Sequence, residues 1–377
     1  MRLLINTATT LQGGGIQVAC SFLDECRRTS EHEYHVVLGL KIAQLVNQAE
    51  FGENFTFYEI PYRPARRVFS LRRPDAFLKE VERSANPDCV FTTSGPAYWR
   101  PRSPHLMGYT LPHYVYPNSQ FFDRLTLANR AKWSLKGRLI KHYVRRDADA
   151  YVVQTDDVNQ RLRRLFNVDD VHTVTNTYGS HFDDPLVPSE ALLPERRPNE
   201  VRFLTLSAYY EHKNLEILNE LIPILESRGL VDTRFVVTLP EHVFDDIFSH
   251  EAKMQLINVG PVVPSACPML YEATDFVFLP TLLECFSANY VEGMRMQRPI
   301  LTSDLGFAHT VCGDAALYFD PVAPADIADK IQRILKDDSL QQRLREAGTK
   351  RLNMFSSAAQ RAECYLKICS SMVRASP

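Results

Sequence analysis

The sequence predicts an α/β protein made of two doubly wound halves, each a parallel sheet with helices on its faces. Three observations carry that expectation. Short β-branched or apolar runs alternate with amphipathic segments along the 377 residues, which is the pattern of βαβ units. The alternation stops once, between Asn176 and Glu200, in a stretch rich in Pro, Asp, Glu and Ser, and then restarts, as at a connection between domains. The composition, 45% hydrophobic and 23% charged, is ordinary for a globular chain.

In chain order, the first strand is expected at 2–7. Met1-Arg2-Leu3-Leu4-Ile5-Asn6 turns polar too soon for a signal peptide, so a cytoplasmic protein is expected. Strands follow near 34–39, 55–60, 88–92, 105–109, 149–154 and 171–175, with helices near 16–29, 69–85, 121–146 and 155–166. After the break, strands are expected at 201–206, 233–238, 255–259, 275–279 and 299–302. The helices of this half are expected at 213–228, 241–251, 265–272, 287–297, 324–336, 338–349 and 356–373. The boundaries are therefore 1–176 for an amino-terminal domain, 177–200 for a linker, 201–354 for a carboxy-terminal domain and 355–377 for a last helix. Ligands bind outside the carboxyl ends of the strands in such sheets, so the two Rossmann-like halves are expected to face a central cleft. No stretch approaches the roughly 18 apolar residues of a membrane span.

The eight cysteines, at 20, 26, 89, 267, 285, 312, 364 and 369, form no CxxC pair. Free thiols in a reducing compartment are expected, rather than a disulfide framework or a zinc site. Charge is uneven. The net is −2, yet Ile60 to Arg146 holds 17 Lys and Arg against 5 Asp and Glu. Such an asymmetry bears on partners more than on fold.

Three segments carry chemistry. Gly13-Gly14-Gly15 lies between the first strand and the first helix, where bare glycines let a ligand approach the backbone and a helix N-terminus favours an anion. The spacing is not GxGxxG and no acidic residue closes the second strand, which disfavours a Rossmann dehydrogenase; a surface turn would show the same glycines. Ser207 to Leu215 ends a strand and opens a helix, and Lys213 there is placed to meet a diphosphate, although a solvated lysine in a first turn would look the same. The strongest segment follows the apolar strand Asp275 to Pro280. Glu284 and Glu292 have an E-x7-E spacing, with Glu284 in the loop and Glu292 about one and a half turns into the next helix. Between them stand the amides of Phe286, Ser287 and Ala288. Carboxylates accept hydrogen bonds from sugar hydroxyls, and free amides suit phosphate, so a nucleotide-sugar fits this layout. Two glutamates on an exposed helix would give the same spacing.

From Val201 to about Asp337 the chain resembles the nucleotide-sugar domain of the GT-B glycosyltransferases of the group 1 (GT4-like) family. Glu284 to Glu292 is similar to that family's block EGFGLPxxE. Arg298 to Asp304 and Gly313 to Pro321 resemble the segments after it, and Val259-Gly260, Leu270-Tyr271 and Ala273 to Asp275 the segment before it. Gly13 to Gly15, Pro87-Asp88, Ala148-Asp149-Ala150 and Val174-Thr175-Asn176 extend a weaker similarity over the first half. The resemblance implies a GT-B fold and a retaining transfer of sugar from a nucleotide diphosphate to an acceptor hydroxyl, with no divalent metal or other cofactor. It implies that Glu292 holds the ribose, Glu284 contacts the transferred sugar and Lys213 stabilises the leaving diphosphate. Gly13, Gly14, Gly15, Phe286, Ser287 and Ala288 would complete the donor-binding set, and the last helix would cross back to the first domain.

The sequence departs from the family in three places. The arginine expected five residues before Lys213 is Ala208, which removes one of two cations from the diphosphate. The family's Gly-Gly-x-Pro-Glu run is Gly306-Phe307-Ala308-His309-Thr310, so a carboxylate is lost at Thr310. Cys285 and Ser287 replace glycines, and a serine N–H serves phosphate as well as a glycine N–H. In the first half, His113 stands where the family often has a histidine near the reacting sugar; a structural loop histidine fits equally.

The basic excess includes Arg63, Arg66, Arg67, Arg72 and Arg73, and a run holding Arg130, Lys136, Arg138, Lys141 and Arg145 among Trp133, Leu139, Ile140 and Tyr143. The second cluster reads as a basic amphipathic helix able to lie on an anionic membrane, or as a solvated face. No nucleic-acid motif accompanies the charge. The partners expected are a nucleotide-diphosphate sugar, a saccharide or lipid-linked acceptor and an anionic membrane surface, which fits bacterial lipopolysaccharide or surface polysaccharide synthesis. Two alternatives remain at this point: a sugar-nucleotide epimerase or hydrolase on the same fold, and a non-catalytic nucleotide-sugar-binding subunit.

Overall fold

The computed structural model describes residues 1–11, 13–68, 75–183 and 193–375. Arg72 and Arg73, the start of the helix expected at 69–85, and positions 184–192 of the expected linker lie outside them. The chain divides into two compact units. The first holds Met1–Asn118, Phe122–Asn176 and the chain from Ser356 onward; the second holds Ser119–Phe121 and Thr177–Phe355.

The first unit runs β1 (Arg2–Asn6), α1 (Gly14–Cys26), β2 (Glu33–Leu38), β3 (Phe55–Glu59), α2 (Pro64–Val68), α3 (Ala76–Ala85), β4 (Cys89–Thr92), β5 (His105–Gly108), α4 (Pro112–Val115), α5 (Leu127–Asp147), β6 (Ala150–Val153), α6 (Asp156–Phe166) and β7 (Val171–Thr173). Among the described residues its sheet has the order β3-β2-β1-β4-β5-β6-β7, and every pairing is parallel. The strand order reverses between β1 and β4, the place where such sheets take ligands.

The second unit runs β8 (Val201–Thr205), α7 (Leu218–Ser227), β9 (Thr233–Val237), α8 (Glu241–Ile247), α9 (His250–Lys253), β10 (Leu256–Asn258), α10 (Cys267–Glu272), β11 (Phe276–Leu279), α11 (Ala288–Arg295), β12 (Ile300–Ser303), α12 (Gly306–Cys312), β13 (Ala316–Phe319), α13 (Pro324–Lys336) and α14 (Asp338–Leu352). Its parallel sheet has the order β10-β9-β8-β11-β12-β13, with the reversal between β8 and β11. The last helix, α15 (Ala358–Ala375), belongs to the first unit.

Both faces of each sheet are covered, which is why the strands read as continuous apolar runs rather than alternating ones. In β1, Leu3 and Ile5 pack with Ala19, Phe22 and Leu23 of α1 and with Ala362, Tyr365, Leu366 and Cys369 of α15. Phe22 stands edge-on to Phe91 at 5.2 Å and to Tyr365 at 5.5 Å. Leu4, one residue out of phase, packs on the other face with Leu78, Val81 and Trp99. In the second unit Phe203, Phe235, Phe276, Phe278 and Phe319 form a ladder across neighbouring strands, closed by Leu218 and Leu221 of α7 and Ile327 and Ile331 of α13. All eight cysteines are free.

Four helix expectations need correction. The helix expected at 213–228 starts later. Two 3₁₀ turns, Glu211–Lys213 and Leu215–Ile217, flank Asn214, whose φ of 60° a right-handed helix does not accept. The helix expected at 121–146 begins at Leu127, where the Thr126 hydroxyl accepts the Asn129 N–H at 3.3 Å and caps the first turn. That expected at 241–251 is split into α8 and α9 by Phe248 in extended conformation and Ser249, which caps α9. That expected at 265–272 opens with a 3₁₀ turn, Pro264–Ala266, before α10. The sequence expectation also lacks α2, α4, α12 and β13, each only a few residues long.

Candidate active site

At the strand reversal of the second unit, the chain leaves β11 at Pro280 and enters a loop with no room to wander. Leu282 and Leu283 are buried, so the loop is pinned by its apolar side chains. Its main chain is stitched to the turn that carries Lys213: the Leu282 N–H donates to the His212 carbonyl at 2.8 Å, and the Thr281 hydroxyl to the same oxygen at 3.2 Å. Asn214, fully buried, donates through Nδ2 to the carbonyls of Pro280 at 3.0 Å and Pro321 at 2.8 Å, and so ties the loops after β8, β11 and β13 together. The consequence is local and direct. Lys213 Nζ meets Glu284 Oε1 in a hydrogen-bonded ion pair, with both side chains largely shielded.

Lys213 is thus not the opening residue of a helix, as its sequence context suggests; it closes a 3₁₀ turn and is aimed by Asn214. Tyr210, in the same turn, stacks on His212 with ring centres 5.4 Å apart. Burial, with Glu284 adding, pushes its phenol up from the ordinary value.

The loop passes Cys285 and half-buried Phe286 to Ser287, the residue before α11. The Ser287 side chain makes no cap bond, so the first amides of α11, at Ala288 and Asn289, have no side-chain acceptor from the capping residue. Asn289 holds the helix start by donating to the Leu206 carbonyl at 2.7 Å, at the end of β8. Glu292 lies one turn on and is fully enclosed; Tyr271 Oη donates to its Oε2 at 2.8 Å. Burial pushes the Glu292 carboxyl up to about 7, with the tyrosine bond opposing. Gly293 lets α11 lie this close to the sheet, because a Cβ there would stand 2.9 Å from Val277 Cγ2.

Phe182 packs edge-on against Tyr271 at 5.7 Å, and Arg295 pairs with Asp183 at 3.0 Å. Ala208 is exposed, and Thr310 turns its hydroxyl back onto the Gly306 carbonyl at 2.8 Å. Sequence reasoning did not single out Asn214, Thr281 or the role of Tyr271. Their signals are a left-handed turn position and two hydroxyls, none of which has a pattern of its own.

In the first unit, Gly13 takes φ 60°, a left-handed value that a side chain resists, and Gly14 faces open space at the start of α1. Hydroxyls gather at the ends of β1, β4 and β5: Thr10 with Thr93 at 2.9 Å, Ser94 with Thr110 at 2.9 Å, and Thr9 with the Ser94 carbonyl. His113, in α4, stacks on Trp133 of α5 with ring centres 4.5 Å apart. Burial, aided by Lys136, lowers its imidazole to about 4, so it is neutral at pH 7.

Helix α5 carries the second basic cluster. Arg130, Lys136, Arg138 and Arg145 are exposed and Lys141 is half-buried. Its buried residues, Ile140, Val144 and Asp147, all fall in the second half, while Leu127 and Leu135 are 83% and 69% exposed. Arg130 pairs with Asp123 at 3.3 Å, and Lys136 sits over the Trp133 ring at 5.0 Å. No described helix is long and apolar enough to cross a membrane. Among the described residues, no three His, Cys, Asp or Glu side chains are grouped to hold a metal ion.

Two parallel α/β units with helices on both faces of each sheet are the architecture of the GT-B glycosyltransferases, and the solved structures that match this chain have it. Sucrose-phosphate synthase from Thermosynechococcus elongatus superposes with a TM-score of 0.72 at 13% identity, covering 100% of both chains. Anabaena Alr3699/HepE, crystallised with UDP-glucose, gives 0.72 at 12% identity over 98% of this chain and 100% of its own. WaaG, a glycosyltransferase involved in lipopolysaccharide biosynthesis, gives 0.68 at 12% identity over 98% of this chain and 100% of its own. Residues 194–351, a segment that holds Lys213, Glu284 and Glu292, match the family model described as glycosyl transferases group 1. No curated protein matches the sequence.

Proposed function

We propose that the protein is a retaining glycosyltransferase that moves a sugar from a nucleotide-diphosphate donor to a hydroxyl of a lipid-linked saccharide, in lipopolysaccharide or surface polysaccharide assembly. The observation that carries the proposal is the Lys213–Glu284 pair at the strand reversal of the second unit, with Glu292 enclosed in the helix that follows. Glu292 would hold the ribose and Glu284 the transferred sugar. Lys213 and the amides of Phe286, Ser287 and Ala288 would meet the diphosphate, with Gly13, Gly14 and Gly15 as further donor-binding positions. Negative charge grows on the leaving diphosphate, and a fixed cation beside a helix N-terminus lowers the cost of that charge without a divalent ion. Neutral His113 would orient the acceptor hydroxyl; no side chain is assigned as a nucleophile.

The UDP-glucose in the HepE crystals makes UDP-glucose the first donor to try, and the pathway of WaaG supports a lipid-linked saccharide as acceptor. Helix α5 supports attachment to an anionic leaflet from the cytoplasmic side. Each basic residue near such a surface contributes about 1 kcal/mol, so a handful suffices for reversible binding.

The test is incubation of the purified protein with a panel of nucleotide-sugars, with and without lipid-linked acceptor. Acceptor-dependent sugar transfer with retained anomeric configuration is expected. Conversion of the donor without acceptor would mark an epimerase or hydrolase, and binding without turnover a non-catalytic subunit; either overturns the proposal.

A further inference from the structure

We infer that Ser119 and Phe121 are positioning residues for the donor's sugar: they fix the loop that carries Glu284 and the turn that carries Lys213. This rests on the donor-site proposal above. Ser119–Phe121 come just before α5 in the chain, yet they belong to the second unit. Ser119 Oγ donates to the Leu282 carbonyl at 2.9 Å and accepts the Phe121 N–H at 3.2 Å. One hydroxyl thereby serves as donor and acceptor together, which fixes its rotamer.

Leu282 is held at both ends of its peptide unit. Ser119 takes its carbonyl, and its N–H goes to the His212 carbonyl at 2.8 Å. Glu284 lies two residues further along. Phe121, 3% exposed, meets the His212 ring edge-on with centres 6.3 Å apart, next to Lys213. A single short segment therefore braces both arms of the Lys213–Glu284 pair, one through Leu282 and the other through His212. Neither brace reaches Glu292, which is set by Tyr271 and by the approach of α11 to the sheet. The two carboxylates thus have separate supports. Loosening the first should disturb the group that meets Glu284, the transferred sugar, and spare the nucleoside end. Such sites lose function on displacements of about 1 Å.

The experiment is calorimetric titration with two probe pairs, UDP-glucose against UDP and GDP-mannose against GDP, using whichever pair the wild type binds. Ser119→Ala, whose lost bond lies on the Glu284 arm, is expected to weaken the sugar-bearing probe about fivefold to tenfold, the worth of one lost hydrogen bond, and the bare diphosphate, which meets Lys213, by clearly less. Ser119→Thr, which keeps the hydroxyl, is expected to restore binding. Phe121→Leu, which keeps the core filled, is expected to shift the ratio in the same direction and covers the case of a poorly folded Ser119→Ala. Wild-type affinities in both Ser119→Ala and Phe121→Leu, or equal losses for the two probes, would overturn the inference. Failure of the wild type to bind either pair, or an unchanged preference for the sugar-bearing probe in Glu284→Ala, would instead overturn the donor site itself.

Discussion

Tyr271 Oη donates to Glu292 Oε2 at 2.8 Å inside a closed environment. That single bond is the main stabilisation of a carboxyl that burial would otherwise keep protonated. Burial raises the Glu292 pKa from 4.5 to about 7. The folded state therefore holds this proton more tightly than the unfolded chain. Stability from this group is fully present below about pH 4.5 and is lost as pH rises through about 7. Glu292→Gln is expected to flatten that slope and to gain up to ~3 kcal/mol at pH 8 relative to the parent. Denaturant melts at pH 5 and pH 8 check it, and an unchanged slope would count against the raised pKa. The same variant should lose nucleotide affinity, so the residue would cost stability while serving the site.

Lys213→Ala removes the cation and strands Glu284 without its partner. Turnover is expected to fall by roughly 10²- to 10³-fold, because stabilisation of a growing negative charge is lost. Donor affinity should change far less. Single-turnover rates set against equilibrium titrations separate the two, and wild-type turnover in Lys213→Ala would remove the lysine from the chemistry.

Gly293→Ala puts a methyl 2.9 Å from Val277 Cγ2, on a stiff β-branched side chain. Overpacking of this kind is expected to cost about 1–3 kcal/mol. Because Glu292 is the preceding residue, nucleotide affinity should fall together with the melting temperature. A variant that melts lower but binds like the parent would show that α11 shifts without moving the carboxyl.

Reversing the charges at Arg138, Lys141 and Arg145 is expected to abolish most sedimentation with anionic vesicles, and added salt should do the same to the parent. Among the described residues these three form no ion pair, so their reversal breaks no internal contact of that kind. Unchanged sedimentation would leave α5 as a solvated face.

Much of the site is legible in the sequence, and the reason is physical. Glu284 and Glu292 flank a helix start after an apolar strand, and that strand-loop-helix order, more than the spacing, puts them near one strand end. Lys213 is legible as a residue but not in its setting. Its helix was expected to begin at once, and the left-handed turn at Asn214 is written in a side chain that other contexts use differently. Strand β13 was missed because Ala316–Phe319 follows the small residues Gly313 to Ala315 and carries no β-branched side chain. Tyr271 and Ser119 act through single long-range hydrogen bonds, and nothing in their local sequence encodes the partner.

Helix α15 supplies Ala362, Tyr365, Leu366 and Cys369 to a core whose other walls are written at the opposite end of the chain. During synthesis, the first sheet must wait for α15 to emerge, about 180 residues after β7, before that apolar face is covered. Until then, the nascent chain shows a sticky surface to chaperones and to its neighbours. For the same reason, a gene cut after residue 176 would yield an amino-terminal fragment prone to clumping. Grafting the final helix behind residue 176 is the remedy the topology dictates.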